Sequence, residues 1–191
     1  GSANTLTFRD DGGYDADNTD AYGFLENLRA GAPDWRADTG PALVLGAGGA
    51  ARAVIAGLAG EGAPEIRLAN RTRARAEALA EHFGPPVTVL DWAEAEAAMD
   101  GAATIVNTTA LGMEGQPPLT LGLDAAPDTA LVTDIVYEPL TTPFLAAAEA
   151  RGLRTVDGLG MLLHQAVPGF ERWFGRRPEV DDALREAVLA A

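Results

Sequence analysis

The segment Leu43-Val44-Leu45-Gly46-Ala47-Gly48-Gly49-Ala50-Ala51-Arg52-Ala53 restricts the fold of this chain more than any other stretch. Three apolar residues enter a glycine-dense turn and an alanine-rich run leaves it, the pattern of a strand, a tight turn and the first turn of a helix. Such a junction aims several backbone N–H groups and the positive end of a helix dipole at one spot, which suits a phosphate. Gly46 permits the tight turn, Gly48 lets a pyrophosphate approach the backbone, and Ala53 keeps the helix close to its strand. The spacing Gly-x-Gly-Gly-x-x-x-Ala is a relaxed form of the dinucleotide fingerprint, and a plain strand-to-helix turn reads the same way. The residues that follow weigh between the two.

Residues 1–17 read as a short extended or hairpin segment, with Thr5-Leu6-Thr7-Phe8 as a β-type run and Asp10-Asp11-Gly12-Gly13 as its turn. Gly1-Ser2 reads as an addition, and the strand-like run behind it as the continuation of an earlier segment. Asn18-Thr19-Asp20 supplies helix-start chemistry for 21–28, and by spacing Asp20 is a first-turn carboxylate that complements the helix dipole. Strands are predicted at 42–45, 65–69, 85–90, 103–106, 130–137 and 154–156. Helices are predicted at 50–58, 74–83, 92–99, 144–150, 161–174 (kinked at Pro168) and 179–190. Strands alternating with helices predict an α/β fold, a doubly wound parallel sheet, with the two ends of the chain lying outside it.

At the end of the second strand of this unit stand Asn70, Arg71 and Thr72, followed by Arg73 and Arg75. A NAD-binding chain usually places an acid against the ribose 2′-hydroxyl about 20 residues beyond the glycine turn. Here no acid stands there and Arg71 follows at once. A carboxylate would repel a 2′-phosphate, whereas a guanidinium binds it in bidentate fashion. The residues therefore point to NADP rather than NAD. A solvated helix start accounts for Arg73 better than for Arg71.

A net charge of −14 argues against nucleic acid as a partner, because phosphate backbones need a basic face. No apolar run is long enough for a membrane-spanning helix. The chain has no cysteine, which excludes disulfides and thiolate metal sites, so a cytoplasmic location is expected. His82 and His164 are too few and too far apart to suggest a metal site. His164 is expected to point off its helix, outside the chemistry. All 14 cationic residues are arginine, which stays charged and makes a poor proton-transfer group.

Taken together, the ordered blocks resemble the shikimate dehydrogenases, the NADP-dependent shikimate 5-dehydrogenase family. Ala3-Asn4-Thr5 is similar to the end of that family's substrate-domain strand motif. Asn18-Thr19-Asp20 with Gly23-Phe24 resembles its Asn-Thr-Asp-Gly block, with Ala21 in place of the usual glycine. Gly46-Ala47-Gly48-Gly49-Ala50 resembles its NADP loop, and Asn70-Arg71-Thr72 with Arg75 its 2′-phosphate clasp. Asn107-Thr108-Thr109 with Gly112-Met113 is similar to its Asn-Ala-Thr-x-x-Gly-Met block. Asp134-Ile135-Val136-Tyr137 with Pro139, Thr142 and Pro143 matches another block, and Asp157-Gly158-Leu159-Gly160-Met161-Leu162 with Gln165-Ala166 the last.

The resemblance implies a Rossmann-like NADP-binding domain at 18–157. It implies a substrate-domain remnant at 1–17 and, at 158–191, helices that pack on a substrate domain outside this chain. It implies hydride transfer between NADPH and the ketone of 3-dehydroshikimate, with Asp20 as the carboxylate of a Lys/Asp pair. Asn4, Tyr137 and Gln165 would reach the substrate, Met161 the nicotinamide, and Asn107, Thr108 and Thr109 the cofactor groove. In the family the lysine of that pair belongs to the N-terminal substrate domain, and this chain has none. The resemblance therefore implies that these 191 residues are inactive alone. It further implies that Leu162, Phe170, Trp173, Phe174 and Leu184 form an exposed apolar patch favouring a homodimer through the C-terminal helices. The open alternatives are a free-standing, non-catalytic NADP-binding module, a quinate-type paralogue and a methyltransferase using the same glycine turn.

Overall fold

The computed structural model describes residues 3–190; Gly1, Ser2 and Ala191, which the expected segments 1–17 and 158–191 include, lie outside the described residues. The chain opens with an antiparallel hairpin of β1 (Thr5–Phe8) and β2 (Tyr14–Asp17). Helix α1 (Asp20–Gly31) follows, and then the main sheet begins. Its elements are β3 (Ala42–Leu45), α2 (Gly49–Gly60), β4 (Ile66–Ala69), α3 (Arg73–Phe83) and β5 (Val87–Leu90). The second half holds β6 (Thr104–Asn107), β7 (Leu131–Asp134), α4 (Pro143–Ala150) and β8 (Arg154–Val156), and the chain closes with α5 (Leu159–Phe174) and α6 (Asp182–Leu189).

All six strands of the main sheet run parallel in the order β5-β4-β3-β6-β7-β8. The chain winds outward from β3 through β4 to β5, then returns to the other side of β3 and winds through β6 to β8. The reversal falls between β3 and β6, and ligands of open α/β sheets bind at the carboxyl ends of the strands flanking such a reversal. Strands β3, β6 and β7 are buried along their whole length. That explains their near-continuous apolar character, because helices cover both faces of a parallel sheet. One face packs Phe24, Leu28, Val54, Ile55 and Leu58 from α1 and α2, and the other packs Met99, Leu119, Phe144 and Leu145.

Helices α1 and α2 run in the same direction, since Leu25 meets Gly57 and Arg29 pairs with Glu61 one turn further along at 2.8 Å. Helix α5 runs antiparallel to α1: Gly160 lies against Asn27, and Gln165 against Gly23. It therefore climbs past the carboxyl edge of the sheet to the hairpin. There the Trp173 indole donates to the Leu6 carbonyl at 2.9 Å, and Arg172 pairs with Asp17.

The structure departs from the sequence reading in three places. Residues 92–99 form two short 3-10 turns, Trp92–Glu94 and Ala97–Met99, instead of one helix. Eight residues of which only Ala95 and Met99 are buried gain too little packing to offset helix nucleation. Strand β7 stops at Asp134 because its carboxylate accepts from the Val136 N–H at 3.0 Å and curls the chain out of the ladder. The last helix starts at Asp182 and not near Pro178, because the Asp181 carboxylate caps it by accepting from Leu184 N–H at 2.8 Å.

Candidate functional site

The glycine turn joins β3 to α2 at the reversal point. Gly46 has φ 109°, and a Cβ there would lie 2.6 Å from Thr108 Oγ1, so both the backbone angle and the close approach require glycine. Thr108 in turn donates its backbone N–H (2.8 Å) and its hydroxyl (2.7 Å) to the Leu45 carbonyl. The ends of β3 and β6 are thereby pinned together under the turn. Gly48 caps α2 and Gly49 is its first residue; a Cβ on either would meet nothing within 4 Å. The first turn of α2 carries no acid. An unobstructed helix N-terminus without a competing carboxylate fits a diphosphate.

Beside it, the β4–α3 turn is held by the Asn70 amide, which donates to the Thr72 carbonyl at 2.8 Å. Thr72 is the N-cap of α3, yet its side chain makes no capping bond. Arg71 and Arg75 are exposed, and among the described residues the guanidinium of neither makes a hydrogen bond or ion pair. Arg73, between them, is engaged with Glu77 at 2.8 Å and Asp91 at 2.6 Å, and those bonds raise its pKa. These residues fit a 2′-phosphate: a free hydroxyl and two unspent guanidinium groups stand on the turn where a NAD site would carry an acid.

Asn107 and Asp134 end neighbouring strands and are fully buried. The Asn107 amide donates to both Asp134 oxygens at 3.0 Å and to the Leu111 carbonyl at 3.1 Å. The Thr142 hydroxyl donates to the same carboxylate at 2.8 Å. Burial pushes the Asp134 pKa up, against the lowering effect of these bonds. Asn107 Oδ1 accepts from the Thr109 N–H and hydroxyl, and Thr109 Oγ1 accepts from Leu111 N–H. The polar groups of this block are spent inside the protein, so the block shapes the floor of the groove.

A second cluster forms where β1, α1 and α5 meet. The Asn4 amide donates to Asp20 Oδ1 at 2.9 Å and to Gln165 Oε1 at 3.1 Å. The Asn18 amide donates to the other Asp20 oxygen at 3.2 Å. Thr19, which is buried, bonds Asn4 Oδ1 through its backbone N–H and approaches it with its hydroxyl, both at 3.1 Å. That hydroxyl also lies 2.7 Å from the Gln165 carbonyl. Three residues more than 100 positions apart at the extremes thus converge, and among the described residues Asp20 has no cationic partner. Since α1 and α2 start at the same edge of the sheet, this cluster and the glycine turn open on the same side. Tyr137 is exposed beyond the carboxyl end of β7 on that edge. Met161 lies on α5 and packs against the α1-side core.

Two residues of this region gave little signal in the sequence. Thr19 is a hub of the carboxylate cluster, and only its place in Asn18-Thr19-Asp20 marks it. His164 is half-buried, against expectation, and faces a cavity of about 320 Å³ with Asn27, Asp157 and Arg185. Helix α6 covers that side through the Arg185–Asp157 pair at 2.5 Å. Burial pushes the His164 pKa down, opposed by Glu26.

Comparison with known proteins finds two family models. One described as Shikimate / quinate 5-dehydrogenase matches residues 34–113, and one described as Shikimate 5'-dehydrogenase C-terminal domain matches residues 158–189. A shikimate dehydrogenase (NADP(+)) of Paracoccus denitrificans is 64% identical over 190 residues, covering 100% of this chain and 67% of the relative. That of Dinoroseobacter shibae is 63% identical over 190 residues, with 100% and 68% covered. The chain thus spans about two thirds of the length of these relatives. Among solved structures, quinate dehydrogenase from Corynebacterium glutamicum in complex with NAD superposes with TM-score 0.90 at 31% identity, covering 100% of this chain and 68% of that one. Shikimate 5-dehydrogenase from Thermus thermophilus in complex with NADP(H) and shikimate gives TM-score 0.79 at 40% identity, with 93% and 64% covered.

Proposed function

The chain belongs to the shikimate dehydrogenase family, and on that footing we propose that it is the NADP-binding, Rossmann-like part of an enzyme that reduces 3-dehydroshikimate to shikimate. The observation that carries the cofactor assignment is Arg71, exposed and unpaired on the β4–α3 turn beside an open glycine turn. When bound, NADPH supplies the hydride that turns a ring ketone into a secondary alcohol. Gly46, Ala47, Gly48, Gly49 and Ala50 present backbone N–H groups to its diphosphate. Asn70, Arg71, Thr72 and Arg75 hold its 2′-phosphate. Thr108 and Thr109, braced by Asn107, line the groove, and Met161 faces the nicotinamide end.

On the substrate side, Asp20 accepts a hydroxyl of the ring, and Asn4 and Gln165 fix that carboxylate while offering their own polar atoms to neighbouring hydroxyls. Tyr137 closes the same edge. A lysine paired with Asp20 would move the proton, and no lysine occurs in this chain. We therefore expect negligible turnover from these 191 residues mixed with NADP and shikimate; robust activity would show that the reaction runs without that lysine. The proposal includes a cytoplasmic setting and a homodimer through the exposed faces of α5 and α6, supported by the exposure of Phe170, Trp173, Phe174 and Leu184.

Calorimetric titration with NADP and NAD tests the cofactor reading. Arg71→Ala should weaken NADP by about 1.5–3 kcal/mol, the scale of a hydrogen bond to a charged group, and leave NAD nearly unchanged. Equal losses would remove the NADP assignment. A quinate-type substrate is the second reading, favoured by the close superposition on a quinate dehydrogenase; steady-state rates of the parent enzyme with shikimate and with quinate separate the two.

A further inference from the structure

Arg52 stands in the first turn of α2, half-buried, and among the described residues its guanidinium makes no hydrogen bond or ion pair. It shares this condition with Arg71, Arg75 and, on the loop after α5, Arg176. Every other arginine is ion-paired with a carboxylate. In a chain with 28 acidic residues against 14 arginines, an unpaired guanidinium is the exception. Three of them on two adjacent strand-to-helix junctions mark a place kept for an anion that the chain does not itself provide.

Helical geometry fixes the side on which Arg52 lies. A Cβ at Gly57 would meet Leu25 Cγ at 3.3 Å and the Ala21 carbonyl at 3.6 Å, so the Gly57 flank of α2 faces α1. Ala51, Val54, Ile55 and Leu58 are buried and face the sheet. Arg52, five positions before Gly57, is turned from it by about 140° at 3.6 residues per turn, onto the opposite flank. The sheet order places β4 and α3 on that flank, because α2 leads from β3 to β4 while α1 packs toward β8 through Gly31 and Val156. Side chains of a helix also lean toward its N-terminus. Arg52 is thus carried toward the open space over Gly48 and Gly49, on the side of Asn70, Arg71, Thr72 and Arg75.

We propose that Arg52 is a third cation of the 2′-phosphate clasp, closing on the adenosine phosphate from α2 while Arg71 closes from the β4–α3 turn and Arg75 from α3. This rests on the reading that the two junctions hold NADP. It explains why a guanidinium is maintained without a protein partner in the first turn of a helix, where its own charge is unfavourable against the dipole. A dianionic phosphate offers more acceptor sites than one guanidinium fills, so a second and third donor add affinity for the 2′-phosphate alone.

Calorimetry on this chain with adenosine 2′,5′-bisphosphate and with 5′-AMP, for the unaltered chain, Arg52→Ala, Arg52→Lys and Arg71→Ala, tests it. Arg52→Ala should weaken the bisphosphate about 5- to 20-fold and 5′-AMP less than about twofold, with Arg52→Lys recovering part of the loss. Circular dichroism melts establish that the variants fold; should Arg52→Ala melt early, the Lys variant carries the comparison through its affinity and a salt dependence unlike that of the unaltered chain. No loss for either ligand, or equal losses for both, overturns the role of Arg52 in the clasp. If Arg71→Ala discriminates between the ligands and Arg52→Ala does not, only this inference fails. If neither does, or the unaltered chain binds neither ligand, the NADP reading fails with it.

Discussion

Arg71 and Arg73 stand two positions apart in one run of arginines, and their surroundings are opposite: Arg73 is held by Glu77 and Asp91, whereas Arg71 is held by nothing. The sequence favoured this division, because an i, i+4 acid follows Arg73 on its helix and none follows Arg71. Residue identity was less informative at His164. On spacing it faces away from its helix, but α6 folds over that side and leaves it half-buried. Burial favours the neutral imidazole, so the folded-state pKa falls below the ordinary 6.5. Between those two values the unfolded chain binds more protons, so this contribution to stability is complete above about pH 6.5 and is lost as pH falls through the folded-state value. His164→Gln should therefore flatten the decline in urea midpoint between pH 7 and 5; an unchanged slope would mean that other groups cause it.

At the scale of elements, the contact between α1 and α5 decides whether the carboxylate cluster exists. A Cβ at Gly23 would lie 2.7 Å from both Gln165 Cβ and the Met161 carbonyl. Much of that clash is with backbone and cannot be relieved by a rotamer change. Gly23→Ala should cost about 1–3 kcal/mol of stability, the usual scale of overpacking, measured by denaturant unfolding. It should also displace Gln165 from Asn4, visible as a shift of both side-chain amide resonances. A stable variant with unmoved amides would show that α5 is not seated as closely as this. Gly23-Phe24 was legible as part of a motif, but the requirement for glycine was not, because its reason sits on a helix 138 or more residues downstream. The 92–99 segment misled for a related cause: its alanine and glutamate content favours helix, and only the amount of surface available for burial decided against it.

At the scale of the molecule, the topology puts its working residues on one edge and leaves a broad apolar surface above it. Phe8 (82% exposed), Trp173 (55%) and Phe174 (67%) stand out from the hairpin and the end of α5, a surface of the kind that associates. Light scattering over rising concentration should show dimers or larger species, and Phe174→Ser should reduce them; a clean monomer at high concentration would remove the homodimer proposal. What the sequence determined by itself was local and periodic: the parallel α/β alternation, the glycine turn, the missing acid at the end of β4, and the order of the motif blocks. Those signals survive in one dimension because backbone angles and helix and strand periods are set by near neighbours. Tertiary structure alone decided that Arg29 of α1 pairs with Glu61 at the end of α2, that Asn107 and Asp134 are buried braces, and that Asn4, Asp20 and Gln165 share one network. Each of those outcomes is a contact across a sheet or between helices, and no spacing along the chain encodes the packing distance that makes it.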